Sequence, residues 1–224
     1  MPTHAGLAAL ETYLIDRLRA ALPGPDAQRR FCPQPARPAW DPAGGPADAR
    51  RAGALLLLYP GPDGPTIALT RRRDDLRHHG GQISLPGGGV HAGETPADAA
   101  RREAHEEIGL DPATVRILGE LSPLWVFVSG FVVHPVIAVT ETRPVFEPCP
   151  HEVDLVIEAP LAALRDPRLL RWDRRLRQGA EVWVPYFDVD GHQVWGATAM
   201  MIGEFGALLD PAFGPGPGPP SPRV

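Results

Sequence analysis

Residues 87–110, GGGVHAGETPADAARREAHEEIGL, write both ends of a helix into the chain. Thr95, Pro96 and Asp98 supply a hydroxyl N-cap, a proline at the first helical position and an acid at the third that can reach back to the cap. Gly109 stands where a left-handed residue ends a helix, and Leu110 can make the apolar contact that goes with it. A helix is therefore predicted over about residues 96–108. Its last two turns carry Glu103, Glu106 and Glu107. The partial negative charge of a helix C-terminus opposes each of them by a few tenths of a kcal/mol, and like charges at i,i+3 and i,i+4 add a similar penalty. At about 100° per residue the three fall within one arc of roughly 100°, so they form a single carboxylate cluster. Oxygen-rich clusters of this kind suit a hard divalent cation, Mg²⁺ or Mn²⁺. The plain alternative is a solvated acidic face.

Around this helix the chain reads as an α+β domain. GALLLLYP and TIALTR flank Gly61-Pro62-Asp63-Gly64 and predict a hairpin. Further strands are predicted at 82–85, 114–121, 131–139, 153–158 and 182–188, a short turn at 160–165 and a helix at 196–209. Many strands with few helices between them imply a mixed sheet sandwiched between helices, occupying about residues 51–210. Residues 1–50 split into an amphipathic helix over 5–22, with Leu7, Leu10, Leu14, Ile15, Leu18 and Leu22 at helical spacing, and a Pro-rich connector that Phe31 and Trp40 could pin to the core. The Pro/Gly-rich tail, 211–224, reads as disordered.

Composition excludes more than it selects. A net charge of −5 argues against a nonspecific nucleic-acid partner, so any anionic substrate must be held locally. The most apolar run, WVFVSGFVVHPVIAV, is 15 residues broken by Ser, Gly, His and Pro, too short to span a bilayer. No signal peptide is visible in residues 1–20. Cys32 and Cys149 make neither a disulfide framework nor a metal pattern, which fits a reducing cytoplasm.

Gly88, Glu94, Arg102, Glu103, Ala104, Glu106, Glu107, Gly109 and Leu110 meet the pattern G-x5-E-x7-R-E-U-x-E-E-x-G-U at every specified position. A chance match of the fixed residues is about one in a million over this length. The stretch resembles the Nudix box. That resemblance implies a Nudix fold, a loop-helix-loop that binds Mg²⁺ or Mn²⁺, and hydrolysis of a diphosphate linked to a further moiety. It implies Glu103, Glu106 and Glu107 as metal ligands, and Glu94, Arg102 and Gly109 as structural members, the first two tying loop to helix. The Gly87–Gly89 run would let backbone approach phosphate.

Upstream, LTRRRDDLRHHGGQISLPGGG resembles the extension of coenzyme A diphosphatases, L-T-x-R-S-x2-L-x2-H-x-G-Q-x2-F-P-G-G. Thr70, Arg72, Leu76, His79, Gly81, Gln82, Pro86, Gly87 and Gly88 match, while Arg73 replaces the usual Ser and Leu85 the usual Phe. The resemblance implies substrate binding by Arg72, His79, Gln82, Gly87 and Gly88, with Arg71, Arg73 and Arg77 near enough to join Arg72 around a phosphate. It continues through VSGFVVHPVIAV, HEVDLVIEAPLAAL and VPYFDVDGHQVWGATAMMIGEF, covering about residues 53–209. Glu152, after PCPH, is a candidate for the further acid that such enzymes supply from outside the box, and Glu106 or Glu152 is the candidate base. His105, off the acidic arc, and His134, in an apolar strand, are expected to be structural. The implied reaction splits coenzyme A or an acyl-CoA into 3′-phospho-AMP and 4′-phosphopantetheine, with no nucleic-acid or membrane partner and a homodimer as the oligomer it allows. Pro123, 13 residues after Leu110, keeps an ADP-ribose hydrolase as the alternative, and a non-catalytic nucleotide-binding module is the alternative of another class.

Overall fold

Leu55–Leu58 are fully buried, four apolar residues in a row in one extended segment. A strand can hide consecutive side chains only if both faces of its sheet are covered, which sets the layered plan of the molecule. The computed structural model describes residues 6–37, 39–75, 80–177 and 179–215. In chain order the elements are α1 (Leu7–Leu18), α2 (Gly24–Arg29), β1 (Arg50–Gly61), β2 (Gly64–Arg72), β3 (Ile83–Ser84), β4 (Gly87–Gly89), α3 (Pro96–Ile108), β5 (Arg116–Glu120), β6 (Leu124–Val126), β7 (Phe131–Val139), β8 (Val153–Pro160), α4 (Leu161–Leu164), β9 (Leu170–Arg177), β10 (Ala180–Val189), β11 (His192–Trp195) and α5 (Ala197–Leu209).

The larger sheet is centred on β1. It runs antiparallel to β2 through the expected hairpin, with Gly61 opposite Gly64, and antiparallel to β4, with Gly53 opposite Gly88. It runs parallel to β7 from Arg50–Phe131 to Leu58–Val139, so the sheet is mixed. β2 also carries β3 and β8, and β7 carries β5 and β6. Side chains alternate along β1. Leu55, Leu57 and Tyr59 pack with Ala100, Ala104 and Ile108 of α3, whereas Ala54, Leu56 and Leu58 share the opposite core with α1, Phe31 and α5. The expected mixed sheet between helices is thus the fold. A β-carbon on Gly53 would lie 2.0 Å from the Pro96 carbonyl oxygen, so only glycine lets α3 sit this close to β1.

β9, β10 and β11 form a second, antiparallel sheet. Of these only β10 was expected. β9, LRWDRRLR, lacks an apolar alternation and is held by its pairing to β10 and by ion pairs such as Arg174–Glu181. The connector after α1 contains the short α2, and its Phe31 is fully buried, stacked at 5.2 Å on Phe187 and 5.8 Å on Phe213. Phe213 belongs to the stretch read as a tail; residues 216–224 lie outside the described residues. No helix among the described residues is long and apolar enough to cross a membrane.

Candidate active site

The ends of α3 form as the local chemistry dictates. The Thr95 hydroxyl oxygen accepts from the Asp98 N–H at 3.1 Å, while Asp98 accepts from the Thr95 N–H at 3.2 Å, a reciprocal capping box. At the other end Gly109 takes φ +68°. The carbonyls left over at this C-terminus are satisfied from outside, by the N–H groups of Glu147 on Ile108 O (2.9 Å) and Cys149 on Glu107 O (2.8 Å). His105 turns its Nδ1 to the Leu110 carbonyl at 3.0 Å, away from the acids. His134 is satisfied by Glu120 at 3.3 Å.

The loop before α3 is tied down by one arginine. Arg102 donates Nε to Glu94 Oε1 at 2.8 Å and Nη2 both to Glu94 Oε2 at 3.2 Å and to the Gly89 carbonyl at 2.9 Å. Glu94 Oε2 also accepts the His91 N–H at 2.8 Å. The Arg102 bonds first, then His91, hold the Glu94 carboxyl down at about 2. The expected tie of loop to helix is therefore a bidentate ion pair with a backbone anchor. The remaining Arg102 nitrogen, Nη1, bridges Glu103 at 2.8 Å and Glu106 at 3.3 Å.

The three glutamates occupy distinct settings. Glu107 is buried, with 3% of its surface exposed, and accepts the Gly87 N–H at 3.1 Å on one oxygen and Arg72 Nη1 at 3.5 Å on the other. Burial pushes its carboxyl up to about 7, against the pull of Gly87 and Arg72 and with the help of the Glu103 and Glu152 charges. Glu103 lies over Gly88, and Glu106 is the open one, its side chain 56% exposed. Among the described residues no three acidic, His or Cys side chains converge as a ready-made ion site, and Arg102 bridges Glu103 and Glu106. The donor set nonetheless fits a hard divalent cation. It is all carboxylate oxygen, and burial disfavours the ionised form of Glu107, which a neighbouring cation would favour.

The upstream extension meets this cluster through Arg72. Arg71 and Arg73 have other partners: Arg71 pairs with Asp154 and, at 2.7 Å, with Asp74, while Arg73 grips Asp75 at 2.8 and 2.7 Å and the Pro150 carbonyl at 2.9 Å. The expectation that Arg71 and Arg73 join Arg72 around a phosphate is corrected accordingly, since aspartates already neutralise both. Asp74, Asp75 and Asp154 were not singled out from the sequence; for the first two the signal was the DD that directly follows RRR, and for Asp154 there was none. β-carbons on Gly80 and Gly81 would meet Asp74 O at 2.6 Å and Asp74 Oδ1 at 2.5 Å, so both glycines lie against Asp74. The Gln82 carbonyl accepts the Arg72 N–H at 3.0 Å. Arg77 and His79 lie outside the described residues. Glu152, exposed, is near enough to Glu107 for the two charges to repel.

The NUDIX domain model matches residues 49–186, well over half of the chain. The chain belongs to the Nudix family. Nudix hydrolase 15, mitochondrial, of Arabidopsis thaliana is 36% identical over 165 residues, 68% of this chain and 56% of that protein. The uncharacterized Nudix hydrolase NudL of Enterobacter sp. (strain 638) is 36% identical over 158 residues, 69% of this chain and 81% of the relative. The chain thus spans little more than half of the plant relative but most of the bacterial one. A solved Nudix hydrolase from M. Smegmatis, RenU, aligns at 25% identity with a TM-score of 0.41, covering 58% of this chain and 78% of that one. Nudix hydrolases act on pyrophosphate bonds and generally use divalent cations; residues 49–186 form a Nudix hydrolase domain.

Proposed function

We propose that the chain is a divalent-cation-dependent coenzyme A diphosphatase, releasing 3′-phospho-AMP and 4′-phosphopantetheine. The observation that carries this reading is the contact of Arg72 and Gly87, both in the extension that resembles coenzyme A enzymes, with the buried carboxylate of Glu107. The sequence that resembles a coenzyme A module is thereby part of the same site as the box.

In this reading Glu103, Glu106 and Glu107 hold the cation, the last of them already oriented by Gly87. Once bound, Mg²⁺ or Mn²⁺ supplies charge neutralisation of the diphosphate and a more acidic water. Glu103 and Glu106 would join Glu107 in holding the cation, and the Nε and Nη2 bonds of Arg102 to Glu94 and Gly89 fix the loop beside them. Arg72, facing the cluster while Arg71 and Arg73 face aspartates, presents a planar fork to a phosphate oxygen. The glycines at 87 and 88 leave backbone open to the substrate. Glu152 or Glu106, the two exposed acids of the group, accepts the proton of the attacking water.

The test gives purified protein with Mn²⁺ coenzyme A, dephospho-CoA, acyl-CoA, ADP-ribose and NADH in parallel. Coenzyme A and acyl-CoA are expected to be cleaved fastest. Faster turnover of ADP-ribose would overturn the substrate, and cleavage of none would favour a binding module.

A further inference from the structure

We propose that Arg73 is a positioning residue that sets the place of Glu152 relative to Glu107. The inference rests on the hydrolase reading above and extends it to Arg73, which departs from the serine usual at this position in the extension the sequence resembles.

Residues 147–152 bridge two elements of the site. Their first half is fixed to the end of α3 by the Glu147 and Cys149 N–H groups, at 2.9 and 2.8 Å. Their second half is held by Arg73 alone of the three arginines, and it is held twice. The Arg73 N–H donates to the Glu152 carbonyl at 3.1 Å, and Arg73 Nη1 donates to the Pro150 carbonyl at 2.9 Å. The register between β2 and β8 shifts between Arg71 and Arg72, just before the ladder ends at Arg72 opposite Val153. Where regular pairing stops, Arg73 joins the two segments through one backbone bond and one side-chain bond.

The guanidinium is itself aimed. Asp75 accepts Nε at 2.8 Å and Nη2 at 2.7 Å, a bidentate grip that leaves Nη1 pointing at Pro150. With all three nitrogens engaged, Arg73 has no fork left for a substrate phosphate. Glu152 follows Pro150 by two residues, and the N–H groups of Glu152 and Val153 both turn back onto the Cys149 carbonyl at 3.1 and 2.9 Å. This tight turn transmits any movement of Pro150 to Glu152. A serine at 73 would keep the backbone bond to the Glu152 carbonyl but cannot span to the Pro150 carbonyl, so the turn would lose its side-chain brace and rest on the α3 anchor and that single backbone bond.

Arg73→Ser, Arg73→Lys and Asp75→Asn are compared with wild type on coenzyme A and on dephospho-CoA, measuring kcat, KM and the pH profile of kcat. Amide hydrogen exchange is followed over Cys149–Val153. Arg73→Ser is expected to lower kcat about 3- to 10-fold, a modest displacement of one reacting group, with KM unchanged for both substrates. The pH profile of kcat shifts and exchange over Cys149–Val153 quickens. Arg73→Lys recovers part of the loss, since lysine can reach one carbonyl but cannot grip Asp75 bidentately, and Asp75→Asn behaves like a mild Arg73→Ser. A rise in KM for coenzyme A but not for dephospho-CoA would make Arg73 a substrate contact and overturn the proposal. Wild-type kinetics and exchange in Arg73→Ser would reduce it to a solvated ion pair and overturn it equally. If wild type cleaves a different diphosphate, the coenzyme A reading falls while the same series on that diphosphate decides Arg73. If it cleaves none, exchange decides, and an unchanged rate rejects the clamp.

Discussion

The Glu103 carboxylate lies directly over the α-carbon of Gly88, where a β-carbon would stand 2.3 Å from Glu103 Cδ. The contact joins β4 to α3 and makes the glycine a condition for the position of the acid. Because the obstructing atoms are the end of a flexible side chain, Gly88→Ala should keep its stability to within about 1 kcal/mol. It should nonetheless push Glu103 out of place and lower kcat about 10-fold or more. Gly87→Ala differs in kind. Its β-carbon would stand 2.3 Å from the Gly53 carbonyl oxygen, backbone that cannot swing away, so stability should fall first, by about 2 kcal/mol or more. Melting curves beside turnover separate the two, and a Gly88→Ala enzyme with normal turnover would remove Glu103 from the site.

Glu107 should make the cation-free protein sensitive to pH. Its folded pKa, about 7, is raised above the unfolded value of 4.5, chiefly by burial. A raised pKa means that the folded state holds the proton more tightly, so this contribution is present below pH 4.5 and is lost as pH rises through 7. Glu107→Gln removes the titrating group. Without metal the variant is expected to melt higher than wild type at pH 8 and to show a flatter stability profile between pH 4.5 and 7. Mg²⁺ should stabilise wild type at pH 8 more than the variant, whose turnover should drop about 100-fold. A variant with the wild-type pH slope would show that Glu107 is not the strained group.

Glu94 titrates in the opposite sense. Arg102 and then His91 depress its pKa from 4.5 to about 2, so its stabilisation is present above pH 4.5 and is lost as pH falls through 2. Glu94→Gln should remove part of the acid-induced loss of stability in that window. Titration of melting temperature from pH 5 downward checks it, and parallel curves for wild type and variant would deny the pair a role in folding.

How much of this was legible depended on the range of the forces involved. Both ends of α3 could be read because a capping box and a left-handed glycine act within four residues. The leucines of β1 and the apolar run of β7 announced buried strands through composition alone. β9 was hidden because Arg171, Asp173, Arg174 and Arg175 have no strand signature; cross-strand partners in β10 and β11, including Trp195 under Arg175, make them one. The box named the three glutamates, but not that Arg102 spans two of them. The triple arginine was visible, yet which one faces the cluster depends on strand phase, and its bulge between Arg71 and Arg72 is set by β8, more than eighty residues away.

Glu204 was the least legible of all, a charged residue in the otherwise apolar MMIGEFGALL of α5. It is fully buried and accepts three hydrogen bonds, from the Gly24 N–H and the Ser122 N–H at 3.1 Å each and from Gln28 Nε2 at 2.8 Å. One carboxylate thus joins the N-terminal segment, the β5–β6 link and the last helix. Removing it leaves the buried Gly24 N–H unsatisfied and takes one bond each from the half-buried Ser122 N–H and from Gln28 Nε2, which keeps the Ser122 carbonyl, so Glu204→Ala should cost about 2–3 kcal/mol. Glu204→Gln keeps one or two acceptor contacts and should cost less. Urea unfolding checks this: the midpoint should fall without a change in slope, while turnover per folded molecule stays normal because Glu204 is remote from the glutamates of α3. Deleting residues 1–30 should cost at least as much as Glu204→Ala, and combining the two should add little, since both act on one shared set of bonds. Full additivity, or a wild-type midpoint in Glu204→Ala, would mean that the segment around α2 does not dock on α5 in solution.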